Sequence, residues 1–428
     1  MAVGSNLPSK SVILRYPPSS SSKNIHLEVE EVGSGEEAEE TYQLLELPPE
    51  IIKAIEASSK GKEKEDQVAF PLTIKGKPSD DAVLCTTNST FLLRTVGISN
   101  SILVCRTPES DSLHKRKETL QIRDTCHEVL ECVPIAPNLE RIRTILKDSS
   151  WKGINGNSLG KRKRNGKQVK KWTKDQMMSI IQSSEIELEQ GLKDRNVIEV
   201  EGKMLYLPPK ELKELLSIIL SLLTIHQVNT EKRNIALSKP IINSLEHDHE
   251  VDSSISKQVL SLYGKITIND EEEEIWEANT KRILKEIGNG LLIGCQNKKL
   301  DEFEDEWKFE VGEEWKDEID ITLLEGEYLL NPSPITSLSF STSFSSPKSS
   351  ELITHFPISN LPLQPSERFS ELFLTREKWK PKDILPFLKG LTRDNDIKSR
   401  DKLISKFVRV VKNPKDPKDI WWFPRRSS

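Results

Sequence analysis

The stretch TKDQMMSIIQSSEIELEQGLKDRNVIEVEGKMLYLP, residues 173–208, decides the fold class. Thr173 is a helix N-cap with Gln176 at the capping-box position, and the apolar residues that follow predict a first helix. Ser184 caps a second helix. Two short apolar runs then flank Gly202 and predict a hairpin. Helix, turn, helix and two-stranded hairpin is the order of a winged-helix domain.

The second helix of this stretch carries Glu185, Glu187 and Glu189. A recognition helix in the major groove lies against anionic DNA, so these acids have the wrong sign for it. A strongly amphipathic helix over 209–227 follows directly. We therefore expect this first winged-helix domain to bind a protein.

The C-terminal part of the chain again predicts helices followed by a strand, but its net charge is positive. From Arg376 to Arg426 there are sixteen bases and seven acids. Apolar periodicity predicts helices near Phe369 and after Pro381, then a helix over 398–411. Because an aromatic strand, 421–423, ends the chain, we predict another winged-helix unit here. A basic helix of this kind is typical of a phosphate-contacting surface.

The basic positions of this last helix recur every three or four residues, which predicts one basic face opposite Leu403, Phe407 and Val411. Such residues contact phosphates with little sequence preference. A solvated charged face is the alternative on charge pattern alone. Trp421 and Trp422 could stack on bases, although a place in the strand core is the preferred interpretation. The predicted DNA-binding residues are Lys398, Arg400, Lys402, Lys406, Arg409 and Lys412.

Short apolar runs divided by turn residues fill the N-terminal third of the chain. VAFPLTI (68–74), AVLCT (82–86), TFLLRTV (90–96) and SILVC (101–105) predict separate strands of a small antiparallel barrel or sandwich. Such a module can leave an edge open for a partner's strand. Intramolecular core is the alternative for its apolar residues. The predicted partner-binding residues are Val68, Phe70, Leu72, Ile74, Phe91, Leu93, Ile102 and Val104.

A basic segment follows this β region. Residues 147–174 hold ten bases and one acid. A nuclear-localisation signal and a nucleic-acid arm are the two functional interpretations, and an ordinary solvated charge run is the third. The residues at its centre are Lys161, Arg162, Lys163, Arg164 and Lys167.

The middle of the chain is acidic. Residues 298–327 hold thirteen acids and four bases, which disfavours a phosphate backbone there. Apolar patterning predicts helices over 255–263 and 274–287. Residues 331–365 are rich in Ser, Pro and Thr, and their central part is expected to be a disordered linker.

The sequence shows no catalytic signature. The 428 residues carry a net charge of -5, and the five cysteines form no Cys-x-x-Cys pair, which disfavours a zinc ribbon and a disulfide framework. GINGNSLGKR (153–162) lacks the spacing of a phosphate-binding Walker loop. His247 and His249 have no second ligand pair at metal-binding spacing. No signal peptide or membrane span is expected, so we predict a soluble, intracellular protein without enzymatic activity, cofactor or metal.

Several of these segments resemble the defective in sister chromatid cohesion family. The resemblance rests on YQLLELPPE (42–50), on PLTIKGKPSDDAVLCTTNSTFLLRTVGISNSILV (71–104), on the region of Phe369 to Phe373 with Trp379, and on DKLISKFVR (401–409). The acidic middle, the serine-rich segment and the insert NPKDPKD (413–419) depart from it.

This resemblance implies an accessory subunit of an alternative replication factor C clamp loader. In the family, the N-terminal β region joins the chromosome-transmission-fidelity large and small subunits in a composite barrel. The C-terminal winged helices contact DNA and DNA polymerase epsilon, and the complex loads or unloads the PCNA clamp. Other subunits carry the ATPase.

The expected fold class is α+β multidomain, with a small antiparallel β-barrel-like module followed by tandem winged-helix domains. A stand-alone winged-helix transcription regulator and a pure protein scaffold remain alternatives. The predicted segments are a β assembly module completed by partners (1–137), a helix and basic linker (138–172), a first winged helix (173–228), an acidic winged-helix-like domain (229–330), a Ser/Pro-rich linker (331–365) and a basic winged helix (366–428).

Overall fold

The computed structural model describes residues 13–15, 42–60, 72–106, 119–154, 156, 171–228, 232–269, 272–332, 351–393, 396–412 and 419–425. They form a mixed α+β fold with several small sheets, as predicted. The chain divides into two compact units. One comprises Met1–Leu84 and Phe91–Pro134, and the other comprises Cys85–Thr90 and Ile135–Ser428. The finer six-segment division stays a prediction.

The described residues of the N-terminal unit form a sheet of six strands. The strands follow the order β1-β6-β5-β4-β3, and β2 also pairs with β6. Its elements are β1 (Ile13–Arg15), β2 (Leu44–Glu46), α1 (Pro49–Lys60), β3 (Thr73–Lys75), β4 (Val83–Cys85), β5 (Thr90–Arg106) and β6 (Thr119–Pro134).

This sheet corrects two predictions. The two strands predicted over 90–96 and 101–105 are one 17-residue strand, β5. Its pairing with β6 shifts register between Gly97, opposite Glu128, and Ile102, opposite Cys126, so an irregularity in the ladder takes up the residues that predicted a turn. β1 and β2 also pair in parallel with β6, and within the described residues the sheet does not close into a barrel.

The hydrophobic cluster that the described residues of this unit form is small. Ile51 of α1 packs with Leu84 and Phe91, and all three are at most 2% exposed. Apolar side chains elsewhere on the same sheet stay in contact with water, and Ile74 is 67% exposed. Exposed apolar surface on a thin core is typical of a module that binds a partner.

The two helices and the hairpin predicted within the decisive 173–208 stretch are present. After α2 (Arg141–Leu146) come α3 (Lys174–Ile180), α4 (Glu185–Asp194) and the hairpin of β7 (Val197–Val200) and β8 (Lys203–Tyr206). Thr173 and Ser184 both form complete capping boxes. Glu201 and Gly202 take φ values of 51° and 72°, which is the left-handed backbone that a two-residue hairpin turn needs.

A second helix–helix–hairpin group follows the long helix α5 (Pro209–Ile225). It consists of β9 (Ile235–Leu237), α6 (Ser238–His247), α7 (Ser253–Tyr263), β10 (Gly264–Ile268) and β11 (Glu274–Ala278). The helix predicted over 274–287 is therefore wrong in its first part, because β11 precedes α8 (Thr280–Leu292). Trp276 of β11 is fully buried and donates to the Leu260 carbonyl at 2.8 Å, which explains why this segment is held as a strand.

A buried polar joint connects the first two helix–hairpin groups. Asn196, in the turn before β7, donates to the Glu286 carboxylate of α8 at 2.9 Å and accepts from the Tyr263 hydroxyl at 2.7 Å. Burial raises the pKa of Tyr263 well above its usual value, so the phenol stays a donor. Each buried polar group here has a partner, which fixes α4, α7 and α8 in one arrangement.

The acidic region forms a helix and a small sheet. Its elements are β12 (Lys298–Lys299), α9 (Leu300–Val311), β13 (Tyr328–Pro332) and β14 (Glu351–His355), with the strand order β12-β14-β13. Phe303 and Trp307 of α9 are fully buried, whereas Phe309 is 86% exposed. The centre of the predicted disordered linker, 333–350, lies outside the described residues.

The C-terminal group consists of α10 (Pro365–Thr375), α11 (Pro381–Ile384), α12 (Ile397–Phe407), β15 (Val408–Lys412) and β16 (Ile420–Pro424). Its core is aromatic, and Trp379 and Phe387 are at most 2% exposed. The predicted terminal strand is present, but the helix predicted over 398–411 ends at Phe407. No helix in the described ranges is long and apolar enough to span a bilayer.

Candidate nucleic-acid and partner surfaces

Three lysines of α12 lie on one exposed stripe. Lys398, Lys402 and Lys406 are solvent-exposed and one helical turn apart, which spaces them by roughly 6 Å along the axis. On the opposite side, Ile404 is buried and Phe407 stacks on Phe369 with ring centroids 5.0 Å apart. This helix therefore presents three ammonium groups to solvent from a rigid support.

A side-chain cap fixes the start of α12. The Asp396 carboxylate accepts the Ser399 backbone N–H at 3.0 Å, and this hydrogen bond lowers the pKa of Asp396 below its usual value. Arg400 forms a salt bridge with the neighbouring Asp401 at 3.4 Å. Of the predicted DNA-binding residues on α12, Arg400 is thus the one already bound to an acid within the described residues.

The remaining two predicted DNA-binding residues are not on the helix. Arg409 and Lys412 belong to β15, because Phe407 is followed by a chain that pairs with β16. Val411, predicted to be buried on the helix, is also in β15 and is 37% exposed. The stripe is therefore shorter than predicted, and the hairpin carries the rest of the charge.

The outer face of this C-terminal sheet carries aromatic rings and cations together. The preferred interpretation placed both Trp421 and Trp422 in the strand core, but only Trp422 is buried, at 9% exposure. Trp421 and Phe423 are only partly buried and point to the other side. Lys378 Nζ lies 4.6 Å and Lys380 Nζ 5.4 Å from the Trp421 ring centroid.

Sequence reasoning missed this grouping. Lys378 and Lys380 flank the buried Trp379, and Trp421 and Phe423 flank the buried Trp422. Alternation of buried and exposed residues is the signal of a strand. That signal was present in both segments, but nothing in the sequence showed that the two segments are neighbours.

The six predicted partner-binding residues that the structure describes fall into three groups. Ile74, Ile102 and Leu72 are 67%, 43% and 38% exposed. Leu93 and Val104 are partly buried. Phe91 is 0% exposed and belongs to the core, since its ring packs under α1 and faces no solvent. Val68 and Phe70 lie outside the described residues.

β3 places Ile74 at an edge of the N-terminal sheet, and Leu72 directly precedes this strand. Thr73–Lys75 is the last strand in the sheet order and pairs with β4. The exposed Ile74 is the middle residue of this strand. Among the described strands β3 ends the sheet order, and a terminal strand with exposed apolar side chains can be a template for a strand from another chain.

The basic arm and the first helix–hairpin group give different results. Lys161, Arg162, Lys163, Arg164 and Lys167 lie outside the described residues.

The acids of α4 are described, and Glu189 forms a salt bridge with Lys174. That contact lowers the pKa of Glu189 below its usual value, so the helix keeps its negative charge. The protein-binding role of this group stays a prediction.

Glu327 is a carboxyl in an unusual environment. It precedes β13, and its backbone carbonyl accepts the Phe356 N–H at 2.8 Å. Burial raises the pKa of its side chain to about 7, while Arg143 and Lys285 act against that rise and Glu286 and Glu140 add to it. Within the described ranges, no group of His, Cys, Asp and Glu could hold a metal ion.

Comparison with known proteins covers both units. The family model described as "Sister chromatid cohesion protein Dcc1" matches residues 42–388. The sister chromatid cohesion protein DCC1 of Mus musculus is 24% identical over 84% of this chain and 82% of its own length. The human protein of that name is 25% identical over 82% and 81%. The probable sister chromatid cohesion protein DCC1 of Dictyostelium discoideum is 28% identical over 82% and 86%. The matched region takes in the thin-cored sheet, its exposed β3 edge and most of the helix–hairpin groups, and on this coverage the chain belongs to the sister chromatid cohesion protein Dcc1 family.

Proposed function

We propose that the chain is a non-catalytic accessory subunit of an alternative replication factor C clamp loader that acts in DNA replication and sister chromatid cohesion. The observation that carries this proposal is the family match over residues 42–388. The relatives are named for sister chromatid cohesion, which is the process to which we assign the chain.

The N-terminal sheet is the proposed assembly surface. Among its described residues one small hydrophobic cluster surrounds Phe91, whereas Ile74, Leu72 and Ile102 are exposed. Strands from the chromosome-transmission-fidelity large and small subunits would add to the β3 edge and cover these residues. Covering apolar area of this kind is the main driving force for obligate association.

The helix–hairpin groups are the proposed winged-helix domains. Each of three groups shows helices followed by an antiparallel hairpin. The acidic α4 group would bind a protein, for which DNA polymerase epsilon is the candidate. The basic C-terminal group would contact DNA through the α12 stripe, and PCNA and the replication factor C small subunits would be reached through the partners. A nuclear location follows from this role.

Affinity purification of the tagged full-length chain from its own cells, with mass spectrometry of the recovered proteins, tests the proposal. Recovery of clamp-loader subunits with the wild type, and their loss with Ile74→Asp, is the expected result. Phe309→Asp, which changes another exposed apolar residue (86% exposed) outside the N-terminal unit, is the matched control and should retain them. Recovery of transcription proteins, or of the chain alone, would contradict the proposal.

A further inference from the structure

We propose that the outer face of the C-terminal sheet binds single-stranded DNA by stacking unpaired bases on Trp421 and Phe423. This inference rests on the proposed DNA-binding role of the same group. It adds a second site, separate from the α12 stripe, with a different preferred form of DNA. We call this surface the aromatic face and define it by Trp421, Phe423, Lys378, Lys380 and Arg409.

The backbone pairing places these residues together. In the antiparallel ladder Val411 lies opposite Trp421, and Arg409 lies opposite Phe423. Directly opposite residues project from the same face of a sheet. Trp422, between the two aromatics, projects from the other face, where it is 9% exposed within the core. Neither Trp421 nor Phe423 is part of that core.

A third segment extends the same face. Trp379 and Trp422 exchange two backbone hydrogen bonds, of 3.0 and 2.8 Å. Trp379 is buried at 1% exposure, so its neighbours Lys378 and Lys380 project outward beside Trp421. The aromatic face thus has a row of rings with lysines along one side and Arg409 along the other.

The charges select the class of ligand. Lys378 Nζ and Lys380 Nζ lie 4.6 and 5.4 Å from the Trp421 centroid, and Arg409 Cζ lies 5.7 Å from the Phe423 centroid. Cations already occupy the ring faces, so a basic peptide or a methylated lysine would be repelled. The nearest carboxylates in sequence are Glu377 and Asp419, which leaves an excess of positive charge. An anionic ligand with flat rings of its own fits this arrangement, and nucleic acid is such a ligand.

The rings select unpaired bases. Trp421 and Phe423 are two residues apart on a strand, which separates them by about 7 Å. This is about twice the 3.4 Å rise per base in duplex DNA, so bases stacked on both rings must be unstacked from each other. A duplex cannot offer that spacing. Base stacking on an aromatic ring is stronger than a solvent-exposed cation–π contact, so a base displaces the lysine ammonium from the ring. The flexible lysine side chain then lets the ammonium contact a phosphate of the bound strand.

The test compares full-length variants by fluorescence anisotropy with three labelled probes. These are a 15-nucleotide oligo(dT), an abasic strand of the same length and a duplex of the same length. Trp421→Ala should weaken oligo(dT) binding by about 5- to 100-fold and leave duplex binding within about twofold. Trp421→Phe keeps a ring and should retain most of the oligo(dT) affinity. The abasic strand should bind wild type and Trp421→Ala equally, because it carries phosphates without bases.

Phe309→Ala is the matched control. Phe309 is an exposed aromatic on the acidic helix α9, at 86% exposure, and its loss should change neither affinity. Unchanged duplex binding by Trp421→Ala shows that the C-terminal group still folds. An oligo(dT) affinity that Trp421→Ala does not change, with duplex binding intact, would overturn the aromatic face alone. Absence of binding to all three probes by the wild type would overturn it together with the proposed DNA role. Tighter binding of oligo(U) RNA than of oligo(dT) would overturn the choice of DNA.

Discussion

Removing two charges from the α12 stripe should change the salt dependence of duplex binding by a predictable amount. The change is Lys402→Gln together with Lys406→Gln. Both side chains are exposed, and neither forms a salt bridge within the described residues. Glutamine is close to lysine in helix propensity, so α12 should persist and only the charge is lost.

Counterion release sets the magnitude. The two lysines lie roughly 6 Å apart along α12, which lets each one meet a separate phosphate. Each phosphate contact contributes about 0.9 to the slope of log affinity against log salt. Losing two contacts should lower the absolute slope by about 1.8. Between 50 and 200 mM salt, the wild type should therefore lose about 12-fold more affinity than the variant.

The assay is fluorescence anisotropy of a labelled 20-base-pair duplex with the full-length chain over a series of salt concentrations. Lys299→Gln with Lys308→Gln is the control. It makes the same charge change on the acidic part of the chain, where Lys299 is bound to Glu302 at 3.0 Å and Lys308 to Asp305 at 3.8 Å. The control should keep the wild-type slope.

Two results would refute the reasoning. An unchanged slope in the α12 variant would show that these lysines are an ordinary solvated face. An equal reduction in slope for both variants would show that total charge, rather than the stripe, controls binding.

Three further predictions concern stability and assembly. Relative to the wild type, Glu327→Gln should raise the free energy of unfolding by an amount that grows between pH 4.5 and 7, because a folded-state pKa raised from 4.5 to about 7 makes the ionised carboxyl unfavourable by up to about 3 kcal/mol. Urea unfolding of both proteins at pH 5 and 8 measures this difference, and an equal difference at the two pH values would contradict the prediction. Gly264→Ala should destabilise the protein by about 1–3 kcal/mol, because the new Cβ would collide with the indole nitrogen of Trp276 and displace the indole from its buried hydrogen bond. An unchanged thermal midpoint would count against this packing. Ile74→Asp should leave the melting temperature of the isolated chain unchanged, since Ile74 is 67% exposed, but abolish partner recovery; a large loss of stability would place Ile74 in an unrecognised core.

The sequence predicted those parts of the fold that local chemistry determines. Thr173 and Ser184 identified two helix starts because a side-chain oxygen and a glutamate or glutamine three residues later form a self-contained cap. Gly202 identified the hairpin turn because its backbone conformation is costly for other residues. Each of these signals spans only a few residues, so no distant part of the chain is needed to interpret it.

The errors arose where a distant partner decides the structure. β5 resumes its pairing with β6 at Ile102, beyond Ser99 and Asn100, and the sequence of one strand alone carries no trace of that partner. Arg409 lies on a strand because β16 pairs with it, although its spacing continues the helical pattern of α12. For the same reason Lys378 and Trp421 were not recognised as neighbours.

The Asn196 joint determines how the protein can be dissected into fragments. A fragment that ends after α5 keeps Asn196 but loses Tyr263 and Glu286, which are its two side-chain partners. It also strips the cover from α5, whose buried residues include Leu212, Leu216 and Leu223. Such an exposed leucine surface causes aggregation. Soluble pieces of this half of the protein must therefore keep the segment from α3 to α8 whole, and an insoluble shorter piece would say nothing about its ability to bind a ligand.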